Sequence, residues 1–156
     1  MQNQYLKIFN FEFEFILFLM KVLVIYVNEF SYMPAEKNLP DTTIVDEGNR
    51  VTDAILAFIH VEEIDEEKDI QSREKKLVNH LKWTLRKNKT NKVVLHSFAH
   101  LSTSKASVEY SMKLFNAAEK RLKDAGIEAI QTPFGYFLDL NIHAPGYSLA
   151  RIWAEL

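Results

Sequence analysis

Cysteine is absent from this 156-residue chain, which excludes disulfide bonds, thiolate metal ligands and a cysteine nucleophile. Glycine is scarce, and none of the four glycines belongs to a glycine-rich phosphate-binding loop. No apolar run is long enough to span a membrane without interruption. The net charge of −2 gives the chain as a whole no strong attraction to nucleic acids or membranes, so any such attraction must come from a local patch.

The remaining pattern alternates short apolar runs with amphipathic segments and is typical of a single α/β domain with helices packed on a β-sheet. Residues 28–48 contain Pro34 and Pro40 and are predicted to be mostly loop. The predicted strands are residues 21–27, 53–61, 127–130 and 136–142, with a central strand around the apolar run Val93 to Leu95, and the predicted helices are residues 70–87, about 105–125 and 148–156. Ser102 or Ser104 is expected to cap the second helix, and Gly126 to end it.

Residues 1–19 form an unusual N-terminal segment. Phe9, Phe11, Phe13 and Phe15 alternate with polar residues, which is the period of a strand. The segment lacks the basic start and small-residue cleavage site of a signal peptide. The run that follows, residues 20–27, resembles a natural first strand directly after a start methionine. We therefore expect residues 1–19 to be an extension, either an extra strand or a loose tail, and residues 20–156 to be the functional domain.

Two charged segments have more than one interpretation. Residues 62–69 are acidic and are expected to form a solvated turn. The helix after them should bury Leu77, Val78, Leu81 and Leu85, while its outer face is basic and opposed only by Glu74. That face could bind phosphates or could simply be solvated. Its basic residues are Arg73, Lys75, Lys76, Lys82, Arg86 and Lys87, continued by Lys89 and Lys92.

The stretch from Lys92 to Ser104 is the centre of the predicted fold. Its apolar run, Val93 to Leu95, suits a strand buried on both faces, and His96 and His100 follow. Because these histidines lie on a strand and its exit, their spacing does not converge on a metal ion. A binding site is expected where the strands end, lined by Phe98, Ala99, His100, Phe134, Gly135 and Tyr136. The alternative is a buried strand whose two histidines only form hydrogen bonds within the fold and belong to no functional site.

Two segments of this chain resemble a known family. Ser97-Phe98-Ala99-His100-Leu101-Ser102 and Thr132-Pro133-Phe134-Gly135-Tyr136 are similar to motifs of the N-terminal editing domain of archaeal-type threonyl-tRNA synthetase, with weaker matches at residues 20–23 and 57–62. The resemblance covers about residues 20–153. It implies a D-aminoacyl-tRNA deacylase-like fold and a cytoplasmic proofreading hydrolase that needs no cofactor or metal. It also implies removal of L-serine from tRNA specific for threonine, a homodimer, and a synthetase catalytic core as partner, in cis or in trans.

The resemblance assigns roles to particular residues. His100 would position the substrate, and Lys76, Lys82, Arg86 and Lys87 are candidates for contacting tRNA. The implied substrate-binding residues are Val61, Glu62, Phe98, Ala99, Phe134, Gly135, Tyr136 and Phe137.

The chain also departs from the family pattern. Leu138 stands where the family has a lysine, and Arg151 stands where it commonly has an acidic residue. Asp139 cannot replace that lysine because strand alternation points it to the opposite face. Two interpretations remain open. Either the chain is an active deacylase whose chemistry does not need those side chains, or it is a non-catalytic module that binds tRNA or a partner.

Overall fold

The computed structural model describes residues 19–156 of the chain. The predicted extension therefore lies outside the described residues except for Leu19. No helix in this part of the chain combines the length and apolar character needed to cross a lipid bilayer. The strands are β1 Lys21–Lys37, β2 Asn49–His60, β3 Lys92–Ser97, β4 Glu128–Gln131, β5 Tyr136–His143 and β6 Arg151–Glu155; the helices are α1 Ile70–Asn88 and α2 Val108–Asp124, with short 3₁₀ turns at Glu63–Glu67 and Ser148–Ala150.

The strands form one sheet in the order β4-β3-β2-β1-β5, and β6 pairs with the first half of β1. β3 runs parallel to both β2 and β4, whereas β1 is antiparallel to its partners. The crossovers between the parallel strands are α1 and α2, as expected for βαβ units. The register pairs Ile59 with Ser97, so β2 and β3 end side by side at one edge of the sheet. This confirms the predicted α/β class and places the strand ends together.

β1 is much longer than predicted. Residues 28–37, expected to be loop, continue the strand: the pairing with β2 runs on to Tyr32, and Glu29 to Lys37 pair with β5 on the other side. The prediction gave too much weight to Pro34. This proline lies beside an irregularity in the β1–β5 register, between Pro34 and Glu36, and a bulge tolerates a residue without an N–H donor.

The C-terminal segment is a strand, not the predicted helix. β6 pairs with residues 21–25 of β1 and places Trp153 opposite Leu23. The spacing of Leu149, Ile152 and Trp153 fits a helical face. A short helix is only marginally stable, however, whereas a strand in this position forms hydrogen bonds with the backbone groups of β1 that would otherwise be unpaired. Leu149 is 40% exposed and Trp153 is 50% exposed, so these two side chains do not face the core as predicted.

Both helices pack on one face of the sheet. The predicted stripe of Leu77, Val78, Leu81 and Leu85 is buried there, as are Leu114, Phe115, Ala118 and Leu122 of α2. α2 begins later than predicted, because the side chain of Ser107, and not that of Ser102 or Ser104, accepts a hydrogen bond from the backbone N–H of Tyr110. Gly126 has φ of +78° directly after the helix, which confirms its predicted role as the stop.

The acidic segment before α1 is not simply solvated. Asp65 is 1% exposed and lies 2.6 Å from Nη2 of Arg73, which is also buried. Burial raises the pKa of Asp65, while a backbone hydrogen bond from Glu62 and the charge of Arg73 oppose that effect. Arg73 therefore does not belong to the basic outer face of α1, and Glu74 likewise turns inward to pair with Arg121 of α2.

Candidate active site

A cavity of about 320 Å³ opens where β2, β3 and β5 meet the start of α2. That volume is at the small end of the range of ligand sites. The segments that follow β2 and β3 form one side, and the turn before β5 forms the other. The lining residues are Asn38, Leu39, Ile59, Val61, His96, Ser97, Phe98, Ala99, His100, Lys105, Ala106, Val108, Ser111, Pro133, Phe134, Gly135, Tyr136, Phe137, Leu138 and Leu140.

The structure brings nearly all of the predicted site residues to this cavity. His100, Val61, Phe98, Ala99 and the run from Phe134 to Phe137 all line it. Sequence reasoning missed Asn38, Leu39, Lys105, Val108 and Ser111. No local pattern marks them, because they lie on the loop after β1, on the segment before α2 and on the first turns of α2.

A second depression, of about 700 Å³, lies on β1, β2 and β5 and is lined by Tyr32, Asn49, Arg50 and their neighbours. No histidine is among its lining residues in the described part of the chain, and Arg50 is already paired with Glu29. The cavity at the strand ends is therefore the better candidate for chemistry.

Aromatic rings form one wall of the cavity. Phe58 meets His96 edge-on at 5.2 Å between ring centroids and meets Phe98 at 5.1 Å, and Phe98 in turn meets His100 at 5.1 Å. Such edge-to-face pairs fix ring orientation as well as burying area. His96 is 7% exposed, and Nδ1 of its ring lies 2.8 Å from Oγ1 of Thr132. Burial lowers the pKa of His96 to about 4, so its imidazole is neutral at physiological pH.

A buried histidine holds the segment that carries Ala99 and His100. The Nδ1 atom of His60 accepts a hydrogen bond from the backbone N–H of Leu101 at 3.0 Å. Since Nδ1 is an acceptor, the ring proton lies on Nε2, which donates to the carbonyl oxygen of Ser104 at 2.6 Å. The segment is thus fixed at two points by one side chain that is fully buried.

Glu62 supports this segment and does not line the cavity, so its predicted role in substrate binding is revised. Its Oε1 lies 2.7 Å from Nζ of Lys21, and its Oε2 accepts a hydrogen bond from Oγ of Ser104. Burial alone raises the pKa of Glu62, but hydrogen bonds from Lys21, Ser102 and Ser104, with the Lys21 charge, hold it below its ordinary value. Glu62 is fully buried as a carboxylate that anchors the wall of the cavity.

Gly135 allows a close backbone approach, but to another part of the chain. Its φ is +85°, and the Cβ of any other residue at this position would clash with Oγ1 of Thr42. Its carbonyl oxygen accepts hydrogen bonds from the N–H groups of Asn38 and Leu39. Gly135 therefore fastens the loop after β1 to the turn before β5, and that loop supplies Asn38 and Leu39 to the cavity.

The two departures from the family pattern lie in different surroundings. Leu138 lines the cavity, whereas Asp139 does not, as strand alternation predicts. Arg151 is exposed on β6 and donates a hydrogen bond to the carbonyl oxygen of Pro145, away from the cavity. The apolar side chain of Leu138 therefore lines the cavity at the position where the family has a lysine.

The cavity offers few groups for acid–base chemistry. No aspartate or glutamate of residues 19–156 lines it. Within the same range, no cluster of three or more histidine, aspartate or glutamate side chains is arranged to hold a metal ion. What remains are the imidazoles of His96 and His100, the hydroxyls of Ser97 and Ser111, one lysine and the backbone. Such a site can shape a ligand and place a water molecule, with electrostatic help from backbone N–H groups.

The tRNA-binding candidates lie on α1 and not at the cavity. Lys76, Arg86 and Lys87 are exposed, and Lys82 is half-buried. None of the four forms an ion pair with an acidic side chain of residues 19–156. Nζ of Lys87 lies 5.8 Å from the ring centroid of Trp83, whose side chain is 38% exposed. This face is thus a patch of uncompensated positive charge with an aromatic ring beside it.

Residues 20–156 match the profile of the archaea-specific editing domain of threonyl-tRNA synthetase. The chain belongs to this family. Membership supports a proofreading role for the domain, in which the ester bond of an aminoacyl-tRNA is hydrolysed.

Full-length relatives and a solved structure are consistent with this editing domain. Threonine–tRNA ligases are similar over 85% of the chain, at 26% identity for Thermococcus sibiricus, 28% for Methanoregula boonei and 27% for Methanopyrus kandleri. The chain spans only 22%, 22% and 21% of those three proteins. A structure titled as a probable eukaryotic D-amino acid tRNA deacylase shares the fold, with a TM-score of 0.62 over 88% of this chain and 99% of that one, at 10% identity.

Proposed function

We propose that this editing domain hydrolyses the ester of L-seryl-tRNA specific for threonine and spares threonyl-tRNA. Serine is smaller than threonine, so a synthetic site built for threonine cannot exclude serine by size. A second, smaller site that excludes the extra methyl group corrects the error. The observation that carries the proposal is the cavity of about 320 Å³, whose lining includes Val61, Ala99 and Phe134.

The proposed reaction relies on positioning more than on acid–base side chains. Ester hydrolysis needs a placed water, a proton acceptor and stabilisation of the oxyanion. Because the described lining residues include no carboxylate, a hydroxyl group of the terminal ribose is proposed to help place and activate the water. Backbone N–H groups near Ala99 and His100 are proposed to stabilise the oxyanion. His100 is exposed at the cavity and is assigned a role in orienting the substrate.

The second candidate function is a non-catalytic module of the same fold that binds tRNA or a partner. The presence of Leu138 in the cavity, where the family has a lysine, favours this alternative. The proposal of a deacylase is supported by the cavity lining, which includes every predicted substrate-binding residue except Glu62, and Glu62 accepts a hydrogen bond from Ser104 behind that lining.

The proposed partners are the aminoacylated 3′ end of tRNA specific for threonine and a threonyl-tRNA synthetase catalytic core, in cis or in trans. A homodimer is also proposed. Leu140, Ile142 and Trp153 are each more than a third exposed. They pair with Tyr32, Phe30 and Leu23, which belong to the apolar cluster on the face that the helices leave open. Exposed apolar area of this kind marks interaction surfaces.

A deacylation assay tests the proposal. The full chain is incubated with seryl-tRNA and threonyl-tRNA, both on tRNA specific for threonine, and with a D-aminoacyl-tRNA. We expect hydrolysis of the seryl ester and survival of the threonyl ester. If no substrate is hydrolysed above background while tRNA binding weakens steeply with salt, the non-catalytic module is the correct function. Equal hydrolysis of seryl-tRNA and threonyl-tRNA, or hydrolysis of the D-aminoacyl ester alone, rejects the proposed specificity.

A pocket-filling variant provides the matched comparison. Ala99→Leu adds bulk to the cavity lining and should abolish hydrolysis of seryl-tRNA. Ala125→Leu adds the same atoms at an exposed residue just after α2, remote from the cavity, and should leave the rate unchanged. Equal rates for the two variants would show that the reaction takes place elsewhere.

A further inference from the structure

One fixed positive charge lies at the cavity. Lys105 is the only lysine or arginine among the described lining residues, and none of those residues is acidic. The histidine deepest in the wall, His96, is held neutral by burial. Lys105 is therefore the strongest electrostatic feature that a bound molecule would meet there.

The backbone on both sides of Lys105 is fixed by buried groups. The preceding carbonyl, of Ser104, accepts the hydrogen bond from Nε2 of His60 at 2.6 Å. The following N–H, of Ala106, donates to the carbonyl oxygen of Val61 at 2.9 Å. The segment that presents the lysine is therefore preorganised, which reduces the entropy lost when a ligand binds.

The ammonium group, by contrast, is not neutralised by the protein. The Lys105 side chain is exposed and forms no ion pair with an acidic residue of the described chain. Two exposed lysines of α2 differ in this respect, since Lys113 pairs with Glu109 at 2.8 Å and Lys120 pairs with Asp124 at 2.6 Å. A preorganised cation without a counter-charge at the mouth of a cavity is suited to an anionic ligand group.

The charges of an aminoacyl-tRNA end decide which group that is. The amino acid carries a positive α-ammonium group, which Lys105 repels, whereas the nucleotide carries negative phosphates, which it attracts. We propose that Lys105 binds the phosphate on the 5′ side of the terminal adenosine and so directs the ester end into the cavity. This inference rests on the proposed function, and it makes Lys105 a binding residue for the nucleotide and not for the amino acid.

Two non-hydrolysable analogues separate the phosphate contact from the rest of the site. The probes are seryl-3′-aminoadenosine with and without a 5′-phosphate, and their affinities for the full chain are measured at low salt. The unmodified chain should bind the phosphorylated analogue more tightly. Lys105→Gln should weaken binding of that analogue by about tenfold and leave the other unchanged, while Lys105→Arg keeps most of the difference. Lys113→Gln, which removes a paired lysine away from the cavity, should change neither affinity.

Each outcome has one interpretation. If Lys105→Gln binds both analogues as the unmodified chain does, or weakens both equally, the phosphate contact is refuted and the proposed function stands. If the unmodified chain binds neither analogue, the aminoacyl site itself is refuted, and the Lys105 assignment falls with it. If the unmodified chain binds the phosphorylated analogue more tightly and only Lys105→Gln loses this difference in affinity, the result supports both the phosphate contact and the proposed function.

Discussion

Nδ1 of the buried His96 ring lies 2.8 Å from Oγ1 of Thr132, which joins the end of β3 to the turn that carries Pro133 and Phe134. Thr132 belongs to one of the two motifs on which the family resemblance rests, and His96 directly precedes the other. The contact is made in the protein interior by an imidazole that is neutral at physiological pH. The geometry of the cavity is therefore coupled to the protonation state of a side chain that takes no proposed part in the reaction.

Stability should fall on acidification because of His96. Its pKa is lowered from 6.5 to about 4 in the folded protein, so between these values the unfolded chain binds a proton that the folded chain does not. The contribution of neutral His96 to the free energy of unfolding is fully present above pH 6.5 and is lost as the pH falls toward 4. We expect a loss of about 2 kcal/mol in the free energy of unfolding between pH 7 and pH 5, measured by urea titration.

The matched variants are His96→Asn and His143→Asn. His96→Asn removes the titrating ring and should flatten the pH dependence, leaving the smaller share from His80, whose pKa is also lowered by burial. His143 is exposed on β5, and its variant should retain the slope of the unmodified chain. An unchanged slope in His96→Asn would contradict the assignment.

The buried pair of Lys21 and Glu62 should matter for stability. Lys21→Met leaves a fully buried carboxylate without its cation, and we expect a loss of about 3 kcal/mol in unfolding free energy. The double variant Lys21→Met with Glu62→Leu should cost less than the sum of the single changes, because neither charge of this pair then remains buried without its partner. Lys120→Met breaks an exposed pair with Asp124 and should change stability by no more than about 0.5 kcal/mol. Equal losses for Lys21→Met and Lys120→Met would rule out the structural role.

Gly135→Ala should weaken both the fold and substrate binding. The added Cβ would meet Oγ1 of Thr42 and Cβ of Leu39 at a residue with positive φ, so the loop that lines the cavity must move. We expect a loss of about 1–3 kcal/mol in stability and a raised KM for seryl-tRNA. Gly126→Ala shares the positive φ but meets nothing within 4 Å, so it should affect stability without affecting KM. Gly146→Ala has neither problem and should be neutral. If all three variants had the same KM for seryl-tRNA, the loop fastened by Gly135 would have no role in substrate binding.

His100→Ala should retain most of the activity. No carboxylate among the described lining residues orients His100 as a base, and its ring contacts Phe98 at the edge of the cavity. We expect a raised KM with kcat reduced less than about tenfold, in single-turnover and steady-state assays. His143→Ala, outside the cavity, serves as the control. A rate close to that of the uncatalysed reaction would instead establish His100 as essential.

The basic face of α1 should contribute to tRNA affinity through charge alone. Lys82→Gln and Arg86→Gln should each reduce the slope of log affinity against log salt by about 1, if each side chain contacts one phosphate. Lys120→Gln on α2, whose charge is paired with Asp124, is the matched control and should leave the slope unchanged. Identical slopes in all variants would place the tRNA on another surface.

The parts of the fold that sequence predicts well are those with strong local patterns. The buried run Val93 to Leu95 and the stripe Leu77, Val78, Leu81 and Leu85 are found as predicted because period and burial agree. The β1 extension past Val27 and the strand β6 were missed because each depends on a partner strand that is distant in sequence.

The site shows the same division. Phe98 to His100 and Phe134 to Phe137 were predicted from their motifs and do line one cavity. Lys105 carries no motif, and only the folded chain shows that it joins them. Glu62 lies in a matching segment, yet its neighbours in space, Lys21 and Ser104, turn it away from the cavity.

The pairing of β6 with β1 also brings together the first and last residues of the family match, Met20 and Leu156. The backbone N–H of Leu156 donates to the carbonyl oxygen of Met20 at 2.9 Å, so these two residues are neighbours in space. A unit of this kind can be inserted into a loop of another protein, or circularly permuted through a short linker, without stretching either chain. The same strand pairing that completes the sheet therefore suits residues 20–156 to insertion into another chain or to circular permutation.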